Sequence, residues 1–439
     1  MKWVFLVYLL VNPFFYWVGA ELRPAQEFCY QITSLAVIGC SLFFPRREIK
    51  RDALNIVIGI FFLWFIFVYV FNNMGWTILM NVFFGLGVYL SAISTLNKED
   101  ITFLFKGCLT IGILAGITLL CQYLGFDPRG TMLRNTNGGV PKCSFFGIRA
   151  FMGVYFALLI PMVLSISWIN EVEVIKQTKT VIIMLLRAMG ILLWVVITVL
   201  LYFVPVGLSL SSGALLGGVG ACLFYLWFRR RMFFWIVAIP VIAGGVLFFL
   251  KIDEPMGMCK TRLDMWKLVI QDIHRRPIGY GLDSFRNNPN DGSLRYFKYA
   301  FNNKSIRGIK KGDDILLQIS KDGKPSEEEL KAIKEWTKDG AHRGGFIDFW
   351  DNPHNIYLSI WFETGYPGLI LFFVLVYFLW QRFKLSMRNK ETVALFGCFL
   401  IILLSGITQF PFHVARIGHI VPVLLGLFYI STSDEVYKV

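Results

Sequence analysis

Apolar residues in this chain come in blocks, and the blocks have the length that crosses a bilayer. Spanning ~30 Å of hydrocarbon takes ~20 residues of helix. Twelve such blocks stand out, at roughly 3–18, 27–45, 53–71, 76–96, 101–123, 145–168, 181–202, 208–228, 232–250, 355–381, 392–409 and 414–431. The expected fold is therefore an all-α polytopic membrane protein with about twelve transmembrane helices. Composition agrees: 56% of the residues are hydrophobic and 16% charged. A soluble domain this apolar could not cover its own surface.

The net charge of +14 raises nucleic acid as a partner, and its placement argues against that. Fourteen Lys and Arg fall in one alternate set of short loops and four in the other. That is the bias of cytoplasmic over external loops. It predicts both termini in the cytoplasm, the polar segment 251–353 outside, and no nucleic-acid partner. The start, MKWVFLVYLLVNPFFYWVGA, has the build of a signal peptide and reads as a retained first span.

Organisation follows from the same blocks. Residues 1–250 carry spans one to nine, 251–353 form one long external loop, and 354–439 carry spans ten to twelve. The external loop has two readable helices. TRLDMWKLVIQDIHRRP predicts an amphipathic helix over 261–276, with Thr261 and Asp264 at capping-box spacing and Pro277 ending it. Leu263, Trp266, Ile270 and Ile273 form its apolar stripe. Such a helix lies on the outer membrane surface or packs onto the bundle. SEEELKAIKEWTKD predicts a second helix over 326–339. The Asn-, Gly- and Lys-rich stretch between them reads as loop. No internal repeat divides the chain, and a nine-plus-three split is not the symmetry of repeat-built carriers. Cys143 and Cys259 both fall outside, where they are either bridged or two free thiols.

Charges inside spans are costly and mark candidate sites. Lys106 and Arg187 lie near cytoplasmic ends, where they can reach water. The outer ends are richer. Arg129, Arg134 and Lys142 fill the loop before span six, and Arg149 enters that span. Glu363 lies two turns into span ten. His413, Arg416 and His419 recur at helical spacing at the outer end of span twelve. Each alone reads as an interfacial anchor. Together they predict a cationic, His-containing pocket at the outer surface. Arginine binds phosphate bidentately at any pH, and histidine takes a proton from a hydroxyl near neutrality. The pair suits attack of a hydroxyl on a phosphate-activated lipid.

One stretch sharpens this. In DNPHNIYLSIWFETGYPG, His354 and Asn355 are followed by nine residues and then Gly365-Tyr366-Pro367-Gly368. This resembles the H-N-x9-G-x-x-G signature of the O-antigen ligase and polymerase family. Upstream, Arg262, Trp266, Pro277, Gly279, Gly281 and Phe285 resemble that family's Arg-x-x-x-Trp, Pro-x-Gly-x-Gly and Phe segment. The resemblance covers the back half, while the first 120 residues match only as hydrophobic spans. It implies a GT-C-like fold, a bacterial inner-membrane location and an active site facing the periplasm. The implied donor is an undecaprenyl-pyrophosphate-linked glycan, and the implied acceptor is lipid A–core. It implies neither cofactor nor metal. His354 takes the role of base for the acceptor hydroxyl, and Arg262 that of an essential external arginine. Asn355, Glu363 and Trp266 fall at the substrate side. Gly365 and Gly368 then permit a break between a helix carrying the histidine and the span proper, with Pro367 restarting it; close helix packing through small residues is a compatible alternative.

One departure stands against the pattern. Where many members carry Ser-Arg-Gly, this chain has Ser211-Ser212-Gly213. Arg149 or an arginine of 129–134 supplies that phosphate contact, or the donor lies differently. Two other acceptors keep the same chemistry: a lipid-linked repeat for a polymerase, or Ser and Thr for a protein O-oligosaccharyltransferase. A membrane transporter is the reading from another class. It requires charges near the midplane, and here they sit near the span ends.

Overall fold

The computed structural model describes residues 1–14, 22–44, 47–49, 52–72, 76–124, 149–166, 212–229, 234–235, 238–239, 266–267, 269–271, 273–281, 295–301, 304–311, 314–318, 331, 347–349, 355–407 and 419–436. They form α1 (Lys2–Phe14), α2 (Leu22–Ser41), α3 (Ala53–Asn72), α4 (Trp76–Thr95), α5 (Lys98–Tyr123), α6 (Arg149–Ile166) and α7 (Ser212–Arg229), then α8 (Ile356–Ser386), α9 (Lys390–Ser405) and α10 (Ile420–Val436). These ten helices overlap ten of the twelve apolar blocks in sequence. The expected span at 181–202 lies outside the described residues, as does most of that at 232–250. Three described helices are long and apolar enough to cross a membrane: Ala53–Asn72, Lys98–Gln122 and Ile356–Ser386.

Local chemistry sets where several helices begin. The first amides of a helix lack intrahelical partners, and an Asn or Asp oxygen satisfies them. Asp52 Oδ1 accepts from the Asn55 amide at 3.0 Å at the start of α3. Asn355 Oδ1 accepts from the Leu358 amide at 3.0 Å at the start of α8. Asn389 Oδ1 does the same for Glu391 at 2.9 Å at α9. At α5 the Asn97 amide donates to Asp100 Oδ2 at 2.9 Å.

The chain divides into two compact units. The first comprises Met1–Leu63, Gly75–Gly257 and Ile370–Val439, and the second Trp64–Met74 and Met258–Leu369. Helices α3 and α8 each contribute to both. In the first unit α6, α7 and α9 pack on one another. Small residues let their backbones approach. A Cβ on Gly217 of α7 would stand 3.0 Å from the Ile401 carbonyl of α9. Elsewhere α10 packs on α4, α5 and α9, and α1 on α2 and α5.

The first unit also holds an ion pair whose arginine is buried and whose aspartate is partly buried. Arg382 of α8 donates to Asp52, which precedes α3. The same guanidinium donates to Thr432 Oγ1 at 3.0 Å and lies 4.4 Å from the centre of the Tyr429 ring, both on α10. Three helix segments are thereby joined by one side chain.

The segment 295–349 departs from the expected loop. Its described residues include four strands, β1 (Arg295–Phe301), β2 (Lys304–Lys311), β3 (Asp314–Gln318) and β4 (Ile347–Phe349). They form an antiparallel sheet in the order β3-β2-β1-β4. Phe301 pairs with Lys304, and Lys311 with Asp314. Two residues of sequence therefore separate the paired ends in each case. RYFKYAF and DILLQ carry the aromatic and branched residues that favour strands. The expected helix at 326–339 lies outside the described residues except Lys331, which is helical.

Candidate functional site

The second unit brings together the two motifs singled out in the sequence. Described residues between 266 and 275 are helical, and the helix ends before Pro277 as expected. Its apolar stripe does not lie free. Val269 and Ile273 are buried against Leu358 and Phe362 of α8, with Trp266, Ile270, Tyr280, Trp361 and Tyr366 packed around them. Lys267, Gln271 and His274 lie exposed. The amphipathic helix therefore packs on the start of α8, one of the two placements its pattern allowed.

Beyond the helix the two motifs meet backbone to backbone. The Tyr280 amide donates to the Phe362 carbonyl, the Gly281 amide to the Glu363 carbonyl, and the Tyr366 amide to the Pro277 carbonyl, each at 2.9 Å. Carbonyls freed where α8 breaks thus find partners in the facing segment, which non-helical backbone at membrane depth requires. The break is at Gly365, with φ 69° and ψ −168°. Gly279 and Gly281 also have positive φ, 94° and 102°. These values favour glycine. Closeness forbids a side chain independently. A Cβ on Gly279 would lie 2.5 Å from the Glu363 carbonyl oxygen, and one on Gly365 would overlap the Pro277 carbonyl. The expected break at Gly365, with Pro367 inside the resumed helix, is present.

Polar side chains fasten the same region. Trp64 of α3 donates from Nε1 to the Thr364 carbonyl at 3.0 Å. Arg276 donates to Asn72 Oδ1 at 2.9 Å and lies 5.3 Å from the centre of the Tyr280 ring. Tyr280 stacks on Phe362 with centroids 4.5 Å apart. Tyr366 Oη and His274 Nδ1 are 2.6 Å apart. Sequence reasoning missed Trp64, Asn72 and His274 as partners of the motifs. A tryptophan in an apolar span and an asparagine at its end carry no local signal for contacts some three hundred or two hundred residues away.

The expected site residues divide into those with a described environment and the rest. Asn355 is buried and caps α8. Glu363 is buried, with its carbonyl bound to Gly281. Trp266 packs on the apolar cluster. Gly279, Gly281 and Gly365 line the backbone contact, and Gly368 faces Thr364 and Trp64. Arg149 begins α6, in the first unit. His354, Arg262, Arg129, Arg134, Lys142, His413 and Arg416 lie outside the described residues, as do Cys143 and Cys259. His419, the third member of that spacing, is within the described residues. It is 1% exposed at the start of α10, its ring 5.6 Å edge-on from Tyr8, whose hydroxyl donates to its carbonyl.

No family model matches the chain. Two relatives do. A protein of Rickettsia conorii provisionally named polysaccharide ligase is 29% identical over 226 residues, covering 48% of this chain and 44% of the relative. A protein of Rickettsia felis with the same provisional name is 25% identical over 321 residues, covering 70% of this chain and 62% of the relative. The chain thus spans less than two thirds of the length of either.

Proposed function

We propose that this helical membrane protein is a glycan-transferring ligase working at the outer face of the bacterial inner membrane. The observation that carries the reading is the backbone meeting of Pro277–Gly281 with Phe362–Tyr366. It joins the segment that follows Arg262 in sequence to the segment that follows His354. The names of the two relatives support the same class of reaction.

The donor is a glycan on undecaprenyl pyrophosphate, and the acceptor is a hydroxyl of lipid A–core. The acceptor oxygen attacks the anomeric carbon while the bond from that carbon to the pyrophosphate oxygen breaks. The acceptor proton passes to His354. The departing pyrophosphate keeps the bonding electrons, and Arg262 stabilises its charge. Pyrophosphate is already a good leaving group, so the chemistry needs a base and cations, without cofactor or metal. The fold is GT-C-like, with both termini cytoplasmic and the 251–353 segment periplasmic.

The test is transfer by purified protein from an undecaprenyl-pyrophosphate glycan to lipid A–core, in EDTA, for wild type and His354→Ala. Glycan appearing on lipid A–core with wild type alone is the expected result. Longer lipid-linked glycans instead would make the protein a polymerase. Transfer at the wild-type rate by His354→Ala would remove that residue from the reaction.

A further inference from the structure

We propose that His274 is a positioning residue for glycan transfer, acting through Tyr366; the inference rests on the ligase reading above. The two come from different motifs. His274 lies on the helix that follows Arg262, and Tyr366 directly follows the break at Gly365. Their polar atoms, Nδ1 and Oη, are 2.6 Å apart, a hydrogen bond of full strength. The rings lie nearly parallel, with centroids 6.2 Å apart, and Trp361 closes on both, edge-on to His274 at 5.9 Å and to Tyr366 at 5.2 Å.

Neighbouring contacts locate what this bond holds. The Tyr366 amide is tied to the Pro277 carbonyl, three residues beyond His274. Apolar contacts of Val269 and Ile273 with Leu358 and Phe362 are non-directional. They press the helix onto α8 without direction, and the backbone bonds at 277–281 hold only the end of the helix. The His274–Tyr366 bond adds a directional restraint on the helix itself, at the exposed edge of that interface. An error of about 1 Å in placing reacting groups costs about a hundredfold in rate. His274 and Tyr366 thus supply orientation where the apolar contact supplies adhesion.

The test uses the full-length protein and the glycan donor with lipid A–core. Tyr366→Phe removes only the hydroxyl. His274→Phe keeps a ring against Trp361 and removes the nitrogen, and His274→Gln restores a hydrogen-bonding end. Each Phe variant is expected to lower kcat about tenfold, the scale of one hydrogen bond, with KM for the donor unchanged. The double Phe variant should be no slower than either single one, because both remove the same bond. His274→Gln should recover part of the loss. Full kcat in both Phe variants, or losses that multiply in the double variant, would overturn the inference and leave the ligase reading standing. Absence of transfer by wild type would overturn the ligase reading, and the inference with it.

Discussion

At the residue scale, two adjacent positions in the signature have separable duties. Asn355 caps α8 through its side chain and is buried there. Losing such a cap costs about 1 kcal/mol. Asn355→Ala should therefore lower the thermal midpoint of the detergent-purified protein, and Asn355→Asp should restore it. His354→Ala should leave that midpoint in place while abolishing transfer. Equal destabilisation by both would merge the two roles. Arg262 tests the proposed phosphate contact. Arg262→Lys keeps the charge but loses the planar fork, so it should rescue Arg262→Ala poorly. Near-complete rescue in the transfer assay would mean a simple point charge.

Elements depend on backbone approach and on one buried charge. Gly365 combines φ 69° with a facing carbonyl where a Cβ would stand. Gly365→Ala should cost more than the ~1 kcal/mol of conformational strain, because the Pro277 contact must also open. Limited proteolysis of the purified variant should then cut the 258–369 region faster; an unchanged pattern would show that the contact yields cheaply. In the first unit Arg382 serves Asp52, Thr432 and Tyr429 together. Removing one member of a buried ion pair costs about 3–5 kcal/mol, whereas removing both costs far less. Arg382→Met should lower the thermal midpoint sharply, and adding Asp52→Asn should restore part of it. A double variant as unstable as the sum of the singles would exclude coupling.

For the whole molecule the sided placement of Lys and Arg makes a sharp statement. A phosphatase reporter fused within 286–294 should be active, and one fused after Arg231 inactive. The reverse pattern would invert the proposed topology. This charge bias is legible without a structure because each loop registers it independently.

The apolar blocks and their lengths determined the helical class, since ~20 apolar residues have one economical way to pair their backbone across lipid. The signature also announced its own break: Gly365 and Pro367 are residues whose backbone preferences are local. Tertiary structure alone decided the rest. That the Pro-x-Gly-x-Gly segment is the partner of that break follows from close backbone contact, which no periodicity encodes. That Arg382 meets Asp52 is likewise invisible, because an ion pair between residues 330 apart leaves no trace in either neighbourhood. The sheet at 295–349 lay between. Its aromatic residues were present in RYFKYAF, but strand pairing is a relation between segments, and composition alone read the stretch as loop.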